Sequence, residues 1–440
     1  MRPLYLILRI LLPYVMTIFY RRSRTLNAQK KFNAQTIFVC NHPSAFIDPL
    51  VAGNFQMPVL YFVTRGDIFK WWLSPVTWAS HMVPIFRKAE DGADSHEKNK
   101  DSFRYLRRVL MRKKSLILFG EGYTDDKFIR SLKPLKKGPA RIGFDTMMEC
   151  DWKADIKVQT IGLNYSHPKY FRSDVLLSFG DVIHLQDYKE LYDQNPNSAI
   201  TQLTRDLQNS LQEQITYVED KTLEPFVENI TVLTRKGMNH FHHEKGISLE
   251  ERYHYSQNTA NRINEEFNKS EELQSLKTKI DAYFKTLKSK KIDDNWVNRY
   301  SIKKSKNWTK EKLFFWLGTP AYLFGILHQF LPHLIVKRFV EKSFRRDVFW
   351  SGVKLLVGAT ISTLYNLPFI YLFYTYIYPN GWLAVLYFLT VPVFSGVYTY
   401  TQVHKYTDLR KFSKVKIDDL KVLSAERDHL LASIQALKLN

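Results

Sequence analysis

Two apolar runs, residues 355–378 and 382–400, are each long enough to cross the hydrocarbon layer of a bilayer as a helix. Only Pro379-Asn380-Gly381 separates them, a turn that favours a helical hairpin. Basic residues flank the outer ends, with Lys337, Arg338, Arg345, Arg346 and Lys354 before the pair and Lys405, Arg410, Lys411 and Lys414 after it. The positive-inside rule then places both outer ends in the cytoplasm and the Pro-Asn-Gly turn outside, giving an integral membrane protein.

Three other apolar stretches are read against that hairpin. Residues 313–336 are preceded by Lys310 and Lys312, followed by the basic stretch from Lys337 to Arg346, and contain Pro320, His328, Pro332 and His333. Both ends favour the cytoplasm, so a re-entrant or interfacial segment is expected rather than a third span. Residues 4–20 are apolar apart from Arg9 and Pro13 and run into Arg21, Arg22 and Arg24. That order of charge and apolar core is the reverse of a cleaved signal peptide, so a retained anchor is expected, interfacial or half inserted. After Lys416, Ile417, Leu420, Leu423, Leu430, Ile434 and Leu437 recur at helical spacing around Arg427, a short amphipathic helix for packing or for homo-oligomeric self-association.

The net charge of +21 with 15% aromatic residues points to an anionic surface or anionic ligands. Nucleic acid is the competing partner, and it has no use for bilayer-length spans. Membrane lipid explains both properties. Cys40 and Cys150 are the two cysteines, too few for a disulfide framework or a thiolate metal site.

Between residues 30 and 185, short apolar strands alternate with amphipathic stretches, the pattern of an α/β domain. Strands are expected at residues 36–40, 58–63, 115–119 and 158–165. Residues 186–308 are rich in Asn, Gln, Lys and Glu, with helical periodicity at Leu203, Leu207 and Leu211 and again at Leu273, Leu276, Ile280, Phe284 and Leu287. They read as a helical accessory region that covers the site or binds a carrier protein. His240, His242, His243 and His254 within it match no zinc spacing, and no metal is expected. The expected organisation is an anchor (1–29), an α/β domain (30–185), the accessory region (186–308), a membrane region (309–404), and a basic segment with its amphipathic helix (405–440).

Four polar blocks punctuate the α/β domain. His42 and Asp48 follow the first strand. Then come Pro84-Ile85-Phe86-Arg87, next Gly120-Glu121-Gly122-Tyr123-Thr124 after the third strand, and finally Gly162-Leu163-Asn164-Tyr165 in the fourth. The His42 and Glu121 clusters sit just past the carboxyl ends of their strands, where α/β sheets place ligands. Six positions along a helix turn through about 600°, so one continuous helix would leave His42 and Asp48 about 120° apart. They must meet across an irregular turn, which Pro43 and Pro49 suit.

In order and rough spacing these blocks resemble the glycerophospholipid acyltransferase family, whose motifs are a His and Asp pair, a Phe with a nearby Arg, a Phe-Pro-Glu-Gly turn and a final apolar strand. The stretch from Gly162 through Ser166-His167-Pro168 to Phe171-Arg172-Ser173, with the wider His-Asp spacing, looks closest to the fungal type of glycerol-3-phosphate acyltransferase. The resemblance covers about residues 30–185. Five residues separate His42 from Asp48 where the family usually has four, Gly120 replaces the proline before Glu-Gly, the basic residue that often follows Glu-Gly is absent, and Thr160 stands where the last motif usually has proline.

The resemblance implies a mixed sheet flanked by helices and an O-acyltransferase that needs no cofactor. A fatty acyl group would pass from acyl-CoA or acyl-carrier protein to a hydroxyl of glycerol 3-phosphate or 1-acylglycerol 3-phosphate, in phospholipid synthesis on the cytoplasmic side. His42 is then the general base and Asp48 the carboxylate that fixes its tautomer. Arg87 offers a planar cation to the acceptor phosphate, Gly122 lets backbone N-H groups approach it, and Glu121 holds a glycerol hydroxyl or anchors the turn. Lys136 and Arg172 are further candidate cations for the substrate. The alternatives are a catalytically silent lipid-binding protein on the same scaffold, against which the intact His42 and Asp48 speak, and a transporter, for which there are too few spans.

Overall fold

The computed structural model describes residues 3–28, 35–54, 60–86 and 95–439. The chain forms two compact units, Met1–Glu224 with Ser248–Asn261, and Pro225–Ile247 with Arg262–Asn440.

The first unit is built on a seven-stranded mixed sheet. Its strands are β1 (Tyr20–Leu26), β2 (Thr36–Cys40), β3 (Leu60–Arg65), β4 (Met82–Ile85), β5 (Ser115–Phe119), β6 (Lys157–Tyr165) and β7 (Ser173–His184), in the order β1-β7-β6-β2-β5-β3-β4. Strands β2 to β6 are mutually parallel, β7 runs antiparallel to β6, and β1 is parallel to β7. All of β2 is buried, as a central parallel strand covered on both faces must be. The helices are α1 (Pro3–Phe19), α2 (Ile47–Asn54), α3 (Ser74–Ala79), α4 (Ser95–Met111), α5 (Gly138–Glu149), α6 (Lys189–Gln194) and α7 (Pro196–Glu213). Leu106 and Leu110 of α4, Ile142 and Met147 of α5, and Leu203 and Leu207 of α7 join Ile37, Val39, Leu116 and Val158 in one apolar core.

Strands stand at the four expected places, with residues 58–59 of the second lying outside the described residues, and the sheet holds three more. β1 lies within the segment read as an anchor, upstream of the boundary at residue 30. Its Arg21-Arg22-Ser23-Arg24 sequence reads as a basic flank because an edge strand tolerates charge. Helix α1, at 17 residues, buries Met16 and Phe19 while Leu6, Ile7, Ile10 and Leu11 stay exposed.

In the second unit α8 (Glu224–Thr234) and the end of α9 (Leu249–Glu266) join α10 (Glu271–Lys290), α11 (Asp294–Lys303), α12 (Thr309–Leu317), α13 (Thr319–Ser343), α14 (Trp350–Leu372), α15 (Gly381–Lys414) and α16 (Ile417–Ala436). Helix α16 packs on α10 and α11, burying Leu420, Leu423, Leu430 and Ile434 within its own chain. Arg427, which interrupts that stripe, donates to Asp294 Oδ1 at 3.0 Å, and Tyr283 donates to the same oxygen at 2.8 Å. Of the two uses expected of this stripe, packing is the one that the chain itself displays.

Residues 347–377 and 381–414 are long and apolar enough to cross a membrane, and only 11% of the apolar window of each is buried within the protein. Asn380 caps α15, its Oδ1 accepting from the N-H groups of Trp382 and Leu383. Phe373 stacks on Tyr387 at 4.7 Å, so α14 and α15 close as a hairpin beside that turn. Helix α13 meets both legs. The ring of Phe315, just before it, lies 4.4 Å from Tyr406, and Thr399 donates to the Tyr322 carbonyl, both far along α15 from the turn. In its middle Gln329 donates to Ser362 and to the Pro392 carbonyl, and His328 contacts Asn366 and Tyr387. Near its end Glu341 pairs with Lys354 at the start of α14. Both ends of α13 therefore lie beside the open end of the hairpin, and its middle reaches furthest toward the turn.

Candidate active site

The chain leaves the buried strand β2 at Cys40 and turns irregularly through residues 41–46 before α2 begins at Ile47. This turn returns Asp48, in the first turn of α2, to His42. His42 Nδ1 lies 2.8 Å from Asp48 Oδ2, which also accepts from the Ser44 N-H at 2.8 Å. Ala45 takes a positive φ of 33°, the local strain of the tight return. The other carboxylate oxygen, Oδ1, accepts from the Tyr165 hydroxyl at 2.8 Å. Tyr165 ends β6, beside β2 in the sheet, and burial, then the Asp48 charge, hold its hydroxyl well above its ordinary pKa and so protonated.

Asp48 is fully buried, and as a carboxylate it can only accept. The hydrogen shared with His42 therefore sits on Nδ1, which leaves the lone pair on Nε2. The imidazole stacks on Phe119 at 4.3 Å, its side chain keeps 18% exposure, and His42 is among the residues that line a cleft.

Glu121 follows β5, the neighbour of β2 on its other side. Its Oε1 accepts from the His42 N-H at 2.6 Å and its Oε2 from the Lys133 N-H at 3.3 Å. Burial raises its carboxyl pKa while the two N-H bonds oppose the rise. Glu121 thus ties two segments to the sheet and anchors the turn. Gly122 sits at φ +78°, a left-handed value that suits glycine, and its N-H donates to the Phe119 carbonyl.

The final block also has a physical reading at each residue. A Cβ on Gly162 would fall 2.0 Å from the Gln214 carbonyl oxygen, so only glycine fits. The Leu163 N-H donates to Asn41 Oδ1 at 2.7 Å, Asn164 Nδ2 donates to the Gln214 carbonyl at 2.8 Å, and Tyr165 reaches Asp48.

The cations are arranged differently from the expectation. Lys136 is exposed and is not among the residues lining the cleft. Lys133 and Arg130 do line it, buried to 7% and 6% exposure. Lys133 Nζ bonds Asp125 at 3.1 Å and the Tyr123 carbonyl at 3.3 Å, and lies 3.8 Å from the Tyr123 ring centroid. Arg172, at φ +61°, turns its Nη1 to the carbonyls of Thr17, Ile18 and Tyr20 and closes the end of α1. Arg87 lies outside the described residues, and its neighbour Phe86 is pinned through both backbone groups by Asn99. Among the described residues no cluster of His, Cys, Asp or Glu is placed to hold a metal. His242 in the accessory region is held by Asp293 at 3.0 Å.

The mixed sheet thus presents a carboxylate-oriented histidine at the carboxyl ends of its parallel strands, beside a cleft that buried cations line. Residues 19–163 match the Acyltransferase family model. The chain is similar to an uncharacterized acyltransferase of Schizosaccharomyces pombe, 33% identical over 88 residues, which cover 20% of this chain and 13% of that protein. It is also similar to glycerol-3-phosphate O-acyltransferase 2 of Saccharomyces cerevisiae, 30% identical over 114 residues, 26% of this chain and 15% of that one. The matched stretches thus span less than a sixth of either relative's length.

Proposed function

We propose that the protein is a membrane-bound O-acyltransferase that moves a fatty acyl group from a thioester donor to a hydroxyl of glycerol 3-phosphate or 1-acylglycerol 3-phosphate. The observation that carries the reading is the His42-Asp48-Tyr165 chain of hydrogen bonds, which leaves a lone pair on Nε2 of a histidine that lines a cleft together with Arg130 and Lys133. Nε2 takes the proton of the acceptor hydroxyl as its oxygen attacks the thioester carbonyl. Asp48 stabilises the imidazolium. The carbon–sulfur bond then breaks, and the imidazolium returns the proton to the departing thiolate. The acceptor phosphate lies only a few bonds from its reacting hydroxyl, so it falls to the cations of the cleft, Lys133 and Arg130.

The hairpin of α14 and α15 crosses the membrane with its turn outside, α13 enters and leaves on one side, and the catalytic unit works in the cytoplasm, where a greasy donor and an anionic acceptor meet at a basic surface. The test is purified protein in detergent given radiolabelled acyl-CoA or acyl-carrier protein with each acceptor in turn. Labelled 1-acylglycerol 3-phosphate or phosphatidic acid supports the reading, and the productive pair fixes donor and acceptor. Absence of acyl product with every pair would end it.

A further inference from the structure

A second cationic site stands on the active-site edge of the sheet, away from the His42 cleft. Asp174, fully buried at the start of β7, is gripped by two guanidinium forks: Arg21 donates through Nε and Nη2 at 3.2 and 2.7 Å, Arg22 through Nε and Nη2 at 3.3 and 3.0 Å. Arg252 of α9, itself fully buried, adds a third contact at 2.6 Å. Three guanidinium charges thus meet one carboxylate. The neighbouring Arg172 adds a fourth positive charge, and the charges felt by its guanidinium are those of Arg21 and Asp174. Arg21 and Arg22 keep about a third of their side-chain surface exposed while Asp174 keeps none.

Position gives this excess a use. β7 and β1 begin at the edge where β2, β5 and β6 end, so the arginines share that edge with His42. β1 lies three strands from β2, roughly 14 Å at the usual strand spacing. A chain of neighbours runs between the two: Phe128 lines the His42 cleft, its ring lies 5.7 Å from that of His167, and the loop from His167 leads through Lys169 and Arg172 to Asp174. A separation of this size is too great for the phosphate of a glycerol acceptor reacting at His42. In coenzyme A, by contrast, the pantetheine arm holds the phosphates well away from the thioester.

We propose that Arg21 and Arg22 bind the phosphates of a coenzyme A-linked acyl donor, which rests on the acyltransferase reading and assigns the donor within it. Guanidinium forks suit phosphate oxygens, and the partial exposure lets both side chains share a ligand with Asp174. The full-length protein in detergent is titrated calorimetrically with coenzyme A and with pantetheine, which lacks the phosphates. The variants are the double Arg21→Gln/Arg22→Gln and the double Arg21→Lys/Arg22→Lys. Asp174 keeps Arg252 in both, and thermal melts check the fold.

The Gln pair is expected to weaken coenzyme A binding and raise the KM for acyl-CoA by about tenfold or more. The KM for glycerol acceptor and the binding of pantetheine stay in place, and the Lys pair remains within about threefold of wild type. If the Gln pair does not fold, Arg22→Gln alone is expected to show about a threefold loss. Unchanged coenzyme A affinity overturns the proposal, as does an equal loss for pantetheine. A loss seen only as weaker binding to phosphatidylglycerol vesicles overturns it in favour of lipid headgroups. Wild-type protein that neither binds coenzyme A nor forms acyl product refutes the acyltransferase reading itself.

Discussion

Replacing Asp48 with Asn isolates what the buried carboxylate does for His42. Asp48 accepts three hydrogen bonds, from His42 Nδ1, the Ser44 N-H and the Tyr165 hydroxyl. Truncation to Ala would orphan three donors at a cost of about 1–3 kcal/mol each, confusing activity with folding. Asn is nearly isosteric. Its oxygen in the Oδ2 place still accepts from Ser44 and His42, and its amide can donate to the Tyr165 hydroxyl oxygen, so the fold survives. What disappears is the charge beside the ring. At a centre-to-centre separation of roughly 4 Å and an effective dielectric near 20, that charge stabilises an imidazolium by about 4 kcal/mol. The loss corresponds to roughly a thousandfold in kcat. The assay is acyl transfer from radiolabelled acyl-CoA with saturating acceptor, with a thermal melt in the same detergent. A kcat within threefold of wild type would refute the reasoning, since a spectator carboxylate and an orienting one differ only in that charge.

Three further outcomes are expected. Lys133→Met should raise the KM for the glycerol acceptor by about tenfold while Lys136→Met moves it less than twofold, because only the first lines the cleft; steady-state kinetics over acceptor concentration reads both. Asp174 is buried, which alone would raise its carboxyl pKa, yet Arg22 and Arg21 outweigh this and hold it well below the usual range. A depressed folded-state pKa contributes stability above the unfolded value near 4 and loses it as pH falls toward the folded value, so the stability gap between wild type and Asp174→Asn should narrow as pH drops from about 5 toward 2 in thermal melts. Single cysteines at Thr309, Ser343 and Asn380, in a Cys40→Ala/Cys150→Ala background reconstituted in sealed vesicles, should divide by impermeant labelling, the first two reacting from one side and the third from the other; a split between positions 309 and 343 would make α13 a span.

Much of the site was legible because it is local. The six-residue step from His42 to Asp48 excluded a shared helix face, and the strand ends placed Glu121 beside them. Tyr165 could be quoted from its motif, but its bond to Asp48 depends on β6 lying next to β2, a long-range pairing that periodicity does not show. Residues 121–137 form an irregular loop, where no period tells an inward side chain such as Lys133 from an outward one such as Lys136. Arg172 reads as a substrate cation in sequence, where nothing shows that its left-handed backbone turns Nη1 to the carbonyls that end α1. β1 reads as a basic flank because its three arginines outweigh its β-branched content, and the carboxylate partner of Arg21 and Arg22, Asp174, lies about 150 residues away in sequence.

The central claim is that His42 Nε2 removes the acceptor proton. Labelled acyl transfer by His42→Ala, measured beside wild type at matched fold and protein amount, tests it most directly. A loss of about a thousandfold or more with the thermal melt unchanged is the expected result. Equal product from the two proteins would contradict the claim.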